Sequence, residues 1–183
     1  MTANTLKIIK LIALLLVGFV LFIFAASYMV DTDFSTERSV EIEKPKDDVF
    51  EYIRHLRNQD EYSTWSAMDP NMEQEFRGTD GTVGFVSAWE GEETGKGEQE
   101  IVGIIEGERI DFKLRFMEPF ESEADVYMIT DSLSENRTHV TWGFDSSMNR
   151  PMNLMLLFVN MEEAIGNDYD EGLAKLKEIL ENG

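Results

Sequence analysis

The chain has 183 residues, with 36 Asp and Glu against 16 Lys and Arg, and every acid lies after residue 30. Setting aside Lys7 and Lys10 leaves 14 basic and 36 acidic side chains, a formal charge of −22. That charge repels phosphate instead of releasing counterions from it, which argues against nucleic acid as a partner. Cysteine is absent, so a disulfide framework, a thiol nucleophile and thiolate metal sites are excluded.

Leu11 to Val30 is a run of twenty residues without a charge. At about 1.5 Å of helical rise per residue it matches a hydrocarbon core of about 30 Å. Lys7 and Lys10 precede it, while Asp31, Asp33 and Glu37 follow it. Cytoplasmic flanks keep Lys and Arg, so the sequence predicts a single-pass anchor in the inner or cytoplasmic membrane. Its N-terminus lies inside, and the rest is periplasmic or extracellular. A cleaved signal peptide is the competing reading, because Ala25-Ala26-Ser27 resembles a cleavage site. The run is longer than the usual apolar region of about 7–15 residues, which favours the uncleaved anchor. Residues 31–38 read as a juxtamembrane linker and 39–183 as one domain, long enough to bury a core of its own.

Within that domain Val40 and Ile42 alternate along a short strand, Ser39 to Glu43. Pro45, followed by Asp47 and Asp48, opens a helix whose core stripe is Val49, Ile53 and Leu56 and which ends by Asn58. A second short helical piece, Asp60 to Ser66, leads to a turn at Asp69-Pro70-Asn71. Glycine-containing turns then separate six predicted strands: 72–77, 84–89, 97–105, 109–116, 122–131 and 137–146. After Pro151 the period becomes helical as far as Leu180, giving one long helix of about 30 residues with Met155, Val159, Gly166, Tyr169, Leu173 and Leu176 along one face. Such a helix is the only element long enough to cover the apolar face of seven antiparallel strands.

Particular segments carry a family likeness. The stretch VEIEKPKDDVFEYIRHLRNQDEYSTWSAMDP contains an opening strand, a Pro-led helix and the turn formed by Trp65, Ser66, Asp69 and Pro70. Four strands follow in GTVGFVSAWEGEETGKGEQEIVGIIEGERIDFKLRF, and THVTWGF with FVNMEEAIGNDYDEGLAKLKEIL supplies the last strand and helix. Over residues 39–181 the chain resembles a bacterial branch of the START-like (SRPBCC) superfamily, the group labelled polyketide cyclase/dehydrase and lipid transport. The resemblance implies an α+β helix-grip fold, a seven-stranded curved antiparallel sheet around a long C-terminal helix, here preceded by one transmembrane helix. It also implies a cavity between sheet and helix for a hydrophobic small molecule or lipid, with no cofactor.

The candidate cavity residues are Trp65, Phe85, Trp89, Phe112, Phe116, Met128, Trp142, Met155 and Val159, with Tyr169 nearer the far end. Aromatic and methionine stripes also fill ordinary cores, so the same residues fit a filled interior. Neither His55 nor His139 has an identified partner for acid–base work. Asp69, Glu75, Asp111 and Asp125 qualify only if buried beside a ligand. Asp168-X-Asp170-X-Gly172 lacks the rest of a calcium loop and reads as helix surface. Three functions remain open: a membrane-anchored module binding a hydrophobic small molecule or lipid, a polyketide cyclase/dehydratase-type enzyme, and an acidic protein-interaction or stress-response domain with a collapsed cavity.

Overall fold

A computed structural model describes residues 3–183. The chain divides into two compact units, one comprising the residues up to Asp33 with Met148–Asn160, the other Phe34–Ser147 with Met161–Gly183.

The first unit is built on helix α1, Ala3–Ser27, within which Lys7–Ser27 is long and apolar enough to cross a membrane. Its apolar side chains are exposed on every face, the pattern of a helix whose surroundings are lipid or other protein. At its C-terminal end the last carbonyls have no partner within the helix. Asn153 supplies one, its Nδ2 donating to Ser27 O at 2.8 Å and Val30 O at 2.9 Å. Arg150 Nε donates to Ser27 O at 3.2 Å, which also places a cation at the negative end of the helix dipole.

This arrangement corrects the expectation of one helix from Pro151 to Leu180. Residues Met152–Leu157 form a 3-10 helix, and α5 runs only from Met161 to Asn182. The physical reason is Asn153, fully buried and turned to the end of α1. Its commitment there holds the segment in i→i+3 turns such as Leu154 N to Pro151 O.

In the second unit seven strands form one antiparallel sheet in the order β1-β7-β6-β5-β4-β3-β2. They are β1 Asp33–Ile42, β2 Glu73–Arg77, β3 Val86–Gly91, β4 Gly95–Ile105, β5 Arg109–Glu118, β6 Ser122–Ser134 and β7 Arg137–Ser147. Strands β2 to β7 are a meander, each paired with the next. β1 lies at the opposite edge from β2. Three short helices connect those edges: α2 Lys46–Ile53, α3 Leu56–Tyr62 and α4 Thr64–Met68.

β1 is longer than its apolar alternation predicts, because its inward set includes polar Thr36 and Arg38. Arg38 Nη1 donates to Thr36 Oγ1, and its Nε meets Asp170 Oδ2 of α5 at 2.9 Å. The guanidinium crosses directly over Gly166, where any Cβ would collide with it. Gly166, a residue that costs about 1 kcal/mol against Ala within a helix, is therefore the passage for a strand-to-helix ion pair.

α2 and α3 are separate where one helix to Asn58 is expected. Asp80, from the β2–β3 connection, accepts Leu56 N at 2.9 Å and so caps α3 from 24 residues away. The core lies between sheet and helices, with Ile42, Val49, Ile53, Ile101, Ile110, Val140, Leu173 and Leu176 fully buried or nearly so.

Candidate functional site

The sheet and α5 close on a core at one end and leave a cavity of about 100 Å³ at the other, beside α3 and α4. Strand register explains its shape. Trp89 of β3 pairs with Gly97 of β4, which pairs with Phe116 of β5. Since Gly97 has no side chain, the Trp89 indole folds over it, into space that a Cβ there would occupy. The indole then meets Phe116 edge-on at 6.0 Å, and Trp65 of α4 meets the same ring at 6.0 Å. Trp65 is held by the helix start, where Ser63 Oγ accepts Trp65 N at 3.3 Å.

The opposite wall is Trp142 of β7, stacked on Tyr169 of α5 at 4.1 Å and 13° and met edge-on by Tyr62 at 5.7 Å. Gly172 lets α5 approach this ring, with an added Cβ falling 3.0 Å from Trp142 and 3.3 Å from Tyr62 O. Burial pushes the phenols of Tyr62 and Tyr169 far above the ordinary tyrosine range, so both stay neutral.

Polar atoms interrupt this aromatic enclosure. Thr64 Oγ1, Thr94 Oγ1, Gln99 Nε2 and Trp142 Nε1 are buried without a hydrogen-bond partner among the described residues, and all four residues line the cavity. Buried polar groups are almost always paired, so four unpaired ones on residues that line a single cavity are unusual. Gln99 occupies the inward position between Gly97 and Ile101 on β4, opposite Leu114 of β5. One carboxylate at the cavity, Asp168 of α5, is raised above the usual range by burial and then by the charge of Glu171.

Of the nine candidate residues, Trp65, Trp89, Phe116 and Trp142 line this cavity. Phe85, Phe112 and Met128 lie instead in the filled core, Phe85 stacked on Phe76 and Met128 receiving the Tyr62 hydroxyl at 3.7 Å. Met155 and Val159 belong to the first unit and are exposed. Tyr169 lines the cavity, as do Thr64, Thr94 and Gln99, which are not among the sequence candidates, and Asp168, which the sequence places on the helix surface. Gln99 had a readable signal, a polar residue at an inward position of an alternating strand.

The other titratable candidates hold structural posts. Asp69 is buried, but its carboxylate accepts Glu93 N at 3.1 Å and packs against Gly91, pinning the β3–β4 turn. Asp111 meets Arg109 at 2.7 Å and Asp125 meets Lys113 at 3.1 Å. Glu75 is exposed. His55 sits among Glu51 and Asp80 at 3.3 and 3.6 Å, and neither it nor His139 lines the cavity. Among the described residues no group of three or more His, Cys, Asp or Glu side chains is arranged to hold a metal.

No family model matches the sequence, and no curated protein matches it. Solved structures do. XoxI from Bacillus cereus is similar with a TM-score of 0.58 at 14% identity, covering 79% of this chain and 94% of that one. The Aha1 dimer from Colwellia psychrerythraea gives 0.56 at 12% identity, over 81% and 96%. The di-domain ARO/CYC protein BexL from the BE-7585A biosynthetic pathway gives 0.54 at 14% identity, over 80% of this chain and 50% of that one. The fold is the helix-grip fold, a seven-stranded antiparallel sheet with its C-terminal helix.

Proposed function

We propose that this protein is a membrane-anchored binding module whose helix-grip domain takes up a small, ring-bearing apolar molecule with a hydrogen-bond acceptor. The observation that carries this reading is the cavity wall: aromatic rings on two sides, and among the lining residues Trp142 and Gln99, whose N–H groups are buried and unpaired among the described residues. Rings offer apolar area and stacking, and an unpaired buried N–H gains most from a ligand that accepts its hydrogen bond. Size narrows the class. An apolar cavity of about 150 Å³ holds benzene, so about 100 Å³ suits the end of a ring-bearing molecule and does not enclose a diacyl lipid. The anchor reading is supported by Lys7–Ser27, 21 residues of high hydropathy, and tethering raises the domain's effective concentration toward molecules dissolved in the adjacent bilayer.

The test uses the full chain in lipid nanodiscs with two probes of nearly equal shape, acetophenone and ethylbenzene, followed by Trp fluorescence. Acetophenone is expected to bind more tightly by about 2- to 10-fold, the worth of one net hydrogen bond. Trp142→Phe, which keeps a ring and removes the N–H, is expected to shrink that preference. Equal affinities for the two probes in the wild type would overturn the acceptor part of the reading, and binding of neither would overturn the whole.

One observation favours an acid–base enzyme of the cyclase or dehydratase type as a second reading: Asp168 lines the same cavity and holds its proton to higher pH than an ordinary aspartate. An NMR titration in which Asp168 behaves as an ordinary carboxyl would remove that support.

A further inference from the structure

Acids are frequent throughout the chain after residue 30, and the longest stretch without one is 146–161, sixteen residues whose only charge is Arg150. Within it Met155, Leu157, Phe158 and Val159 are 51, 63, 87 and 43% exposed. Four large apolar side chains standing in water next to each other call for a partner. Their placement identifies which one. The segment is fastened to the end of α1 by Asn153 to Ser27 O and Val30 O, by Arg150 to Ser27 O, and by Met148 N to Thr32 O at 2.9 Å. Arg150 also lies over the Tyr28 ring at 4.7 Å. The 21 residues of the span cover about 31 Å, roughly one hydrocarbon core, so the end of α1 falls at its boundary. Tyr and Arg are the side chains that suit that depth.

We propose that residues 152–159 are a second membrane contact, the short 3-10 helix and the two residues after it lying in the interface of the bilayer that α1 crosses, with Leu157 and Phe158 entering the acyl boundary. The loss of acids fits this, since carboxylates at that depth would oppose both the hydrocarbon and an anionic lipid surface. The proposal rests on the anchor reading and is independent of any ligand.

Because the native chain has no cysteine, single sites can be labelled with an environment-sensitive fluorophore without background. Phe158→Cys and Leu157→Cys are made in the full chain and reconstituted in phosphatidylcholine/phosphatidylglycerol vesicles. Both replaced side chains are largely exposed, so folding is not at stake, and a second site guards against a local artefact. Leu16→Cys, in the middle of α1, reports on the anchor itself. The expected result is blue-shifted emission at 157 and 158, with strong quenching by lipid-borne nitroxide and little by aqueous iodide. Iodide quenching at 157 and 158 like that of the free dye, with Leu16→Cys still quenched by nitroxide, would overturn the interfacial contact and leave the anchor standing. Iodide access at all three sites would overturn both. Shielding from iodide without nitroxide quenching at 157 and 158 would show that protein, not lipid, covers the segment, and would also overturn the proposal.

Discussion

Leu157 and Leu176 are the same side chain in two opposite circumstances, one 63% exposed beside the end of α1 and the other fully buried against the sheet. Both sit in segments whose apolar residues recur at helical spacing. Periodicity reports that a face seeks an apolar environment, not which environment supplies it. In the domain the environment is the protein's own interior, whereas the large apolar side chains along α1 and at Met155 and Leu157 of the 3-10 helix stand exposed. The distinction becomes visible only where a polar residue commits itself, as Asn153 does to the carbonyls of Ser27 and Val30.

The largest effect that can test this contrast is in the core. Leu176→Ala removes a fully buried side chain from the α5 face that grips the sheet. It is expected to destabilise the domain by about 2–5 kcal/mol through lost transfer energy and the cavity left behind. Urea denaturation of the full chain in nanodiscs, followed by Trp fluorescence, gives the value. A loss below about 1 kcal/mol would mean that α5 is not tightly packed on the sheet.

Next in size is Asn153→Ala, which leaves the Ser27 and Val30 carbonyls without that donor. The expected cost is about 1–3 kcal/mol, confined to the first unit. Hydrogen exchange should show it as faster exchange of the Met148 and Leu154 amides, whose acceptors are Thr32 O and Pro151 O. At about 1.4 kcal/mol per factor of ten, the acceleration is on the order of fivefold to a hundredfold. Amides of β5 and β6 should not change.

The sheet was legible in the sequence because glycine turns and alternating apolar residues act locally, and β2 to β7 fall close to their expected places, whereas β1 begins six residues before its own. What escaped depends on partners distant in the chain. The α2–α3 break needs Asp80, the full length of β1 needs Asp170 to receive Arg38, and the end of the grip helix needs Asn153 to reach α1. The same limit governs the cavity. Phe112 and Phe116 lie on one strand face, yet Phe112 is core and Phe116 is cavity wall, because Gly97 opposite Phe116 leaves room for Trp89 to fold over it.

Asp168 gives a smaller, pH-dependent effect. Its folded-state value is raised above the unfolded one by burial and by Glu171, so between the two the folded state binds more protons and stability falls as pH rises. The penalty is absent below the unfolded value and complete above the folded one. Asp168→Asn is therefore expected to raise the melting temperature at neutral pH and to lose that advantage in acid below the ordinary aspartate range. The opposite trend, a variant helpful only in acid, would mean that Asp168 is stabilised as a carboxylate.

The smallest expected change belongs to Leu157→Ser. If its environment is lipid, the folded domain does not depend on it, and urea denaturation in detergent should shift by no more than about 0.5 kcal/mol, the usual range for an exposed position. The neighbouring Arg150–Tyr28 contact and the Asn153 hydrogen bonds do not pass through its side chain. A loss comparable to that of Leu176→Ala would mean that Leu157 is buried against protein after all, and the contrast between the two leucines would collapse. Near-silence in detergent is therefore the informative result, because it separates a residue that holds the fold from one whose apolar surface is meant for something outside it.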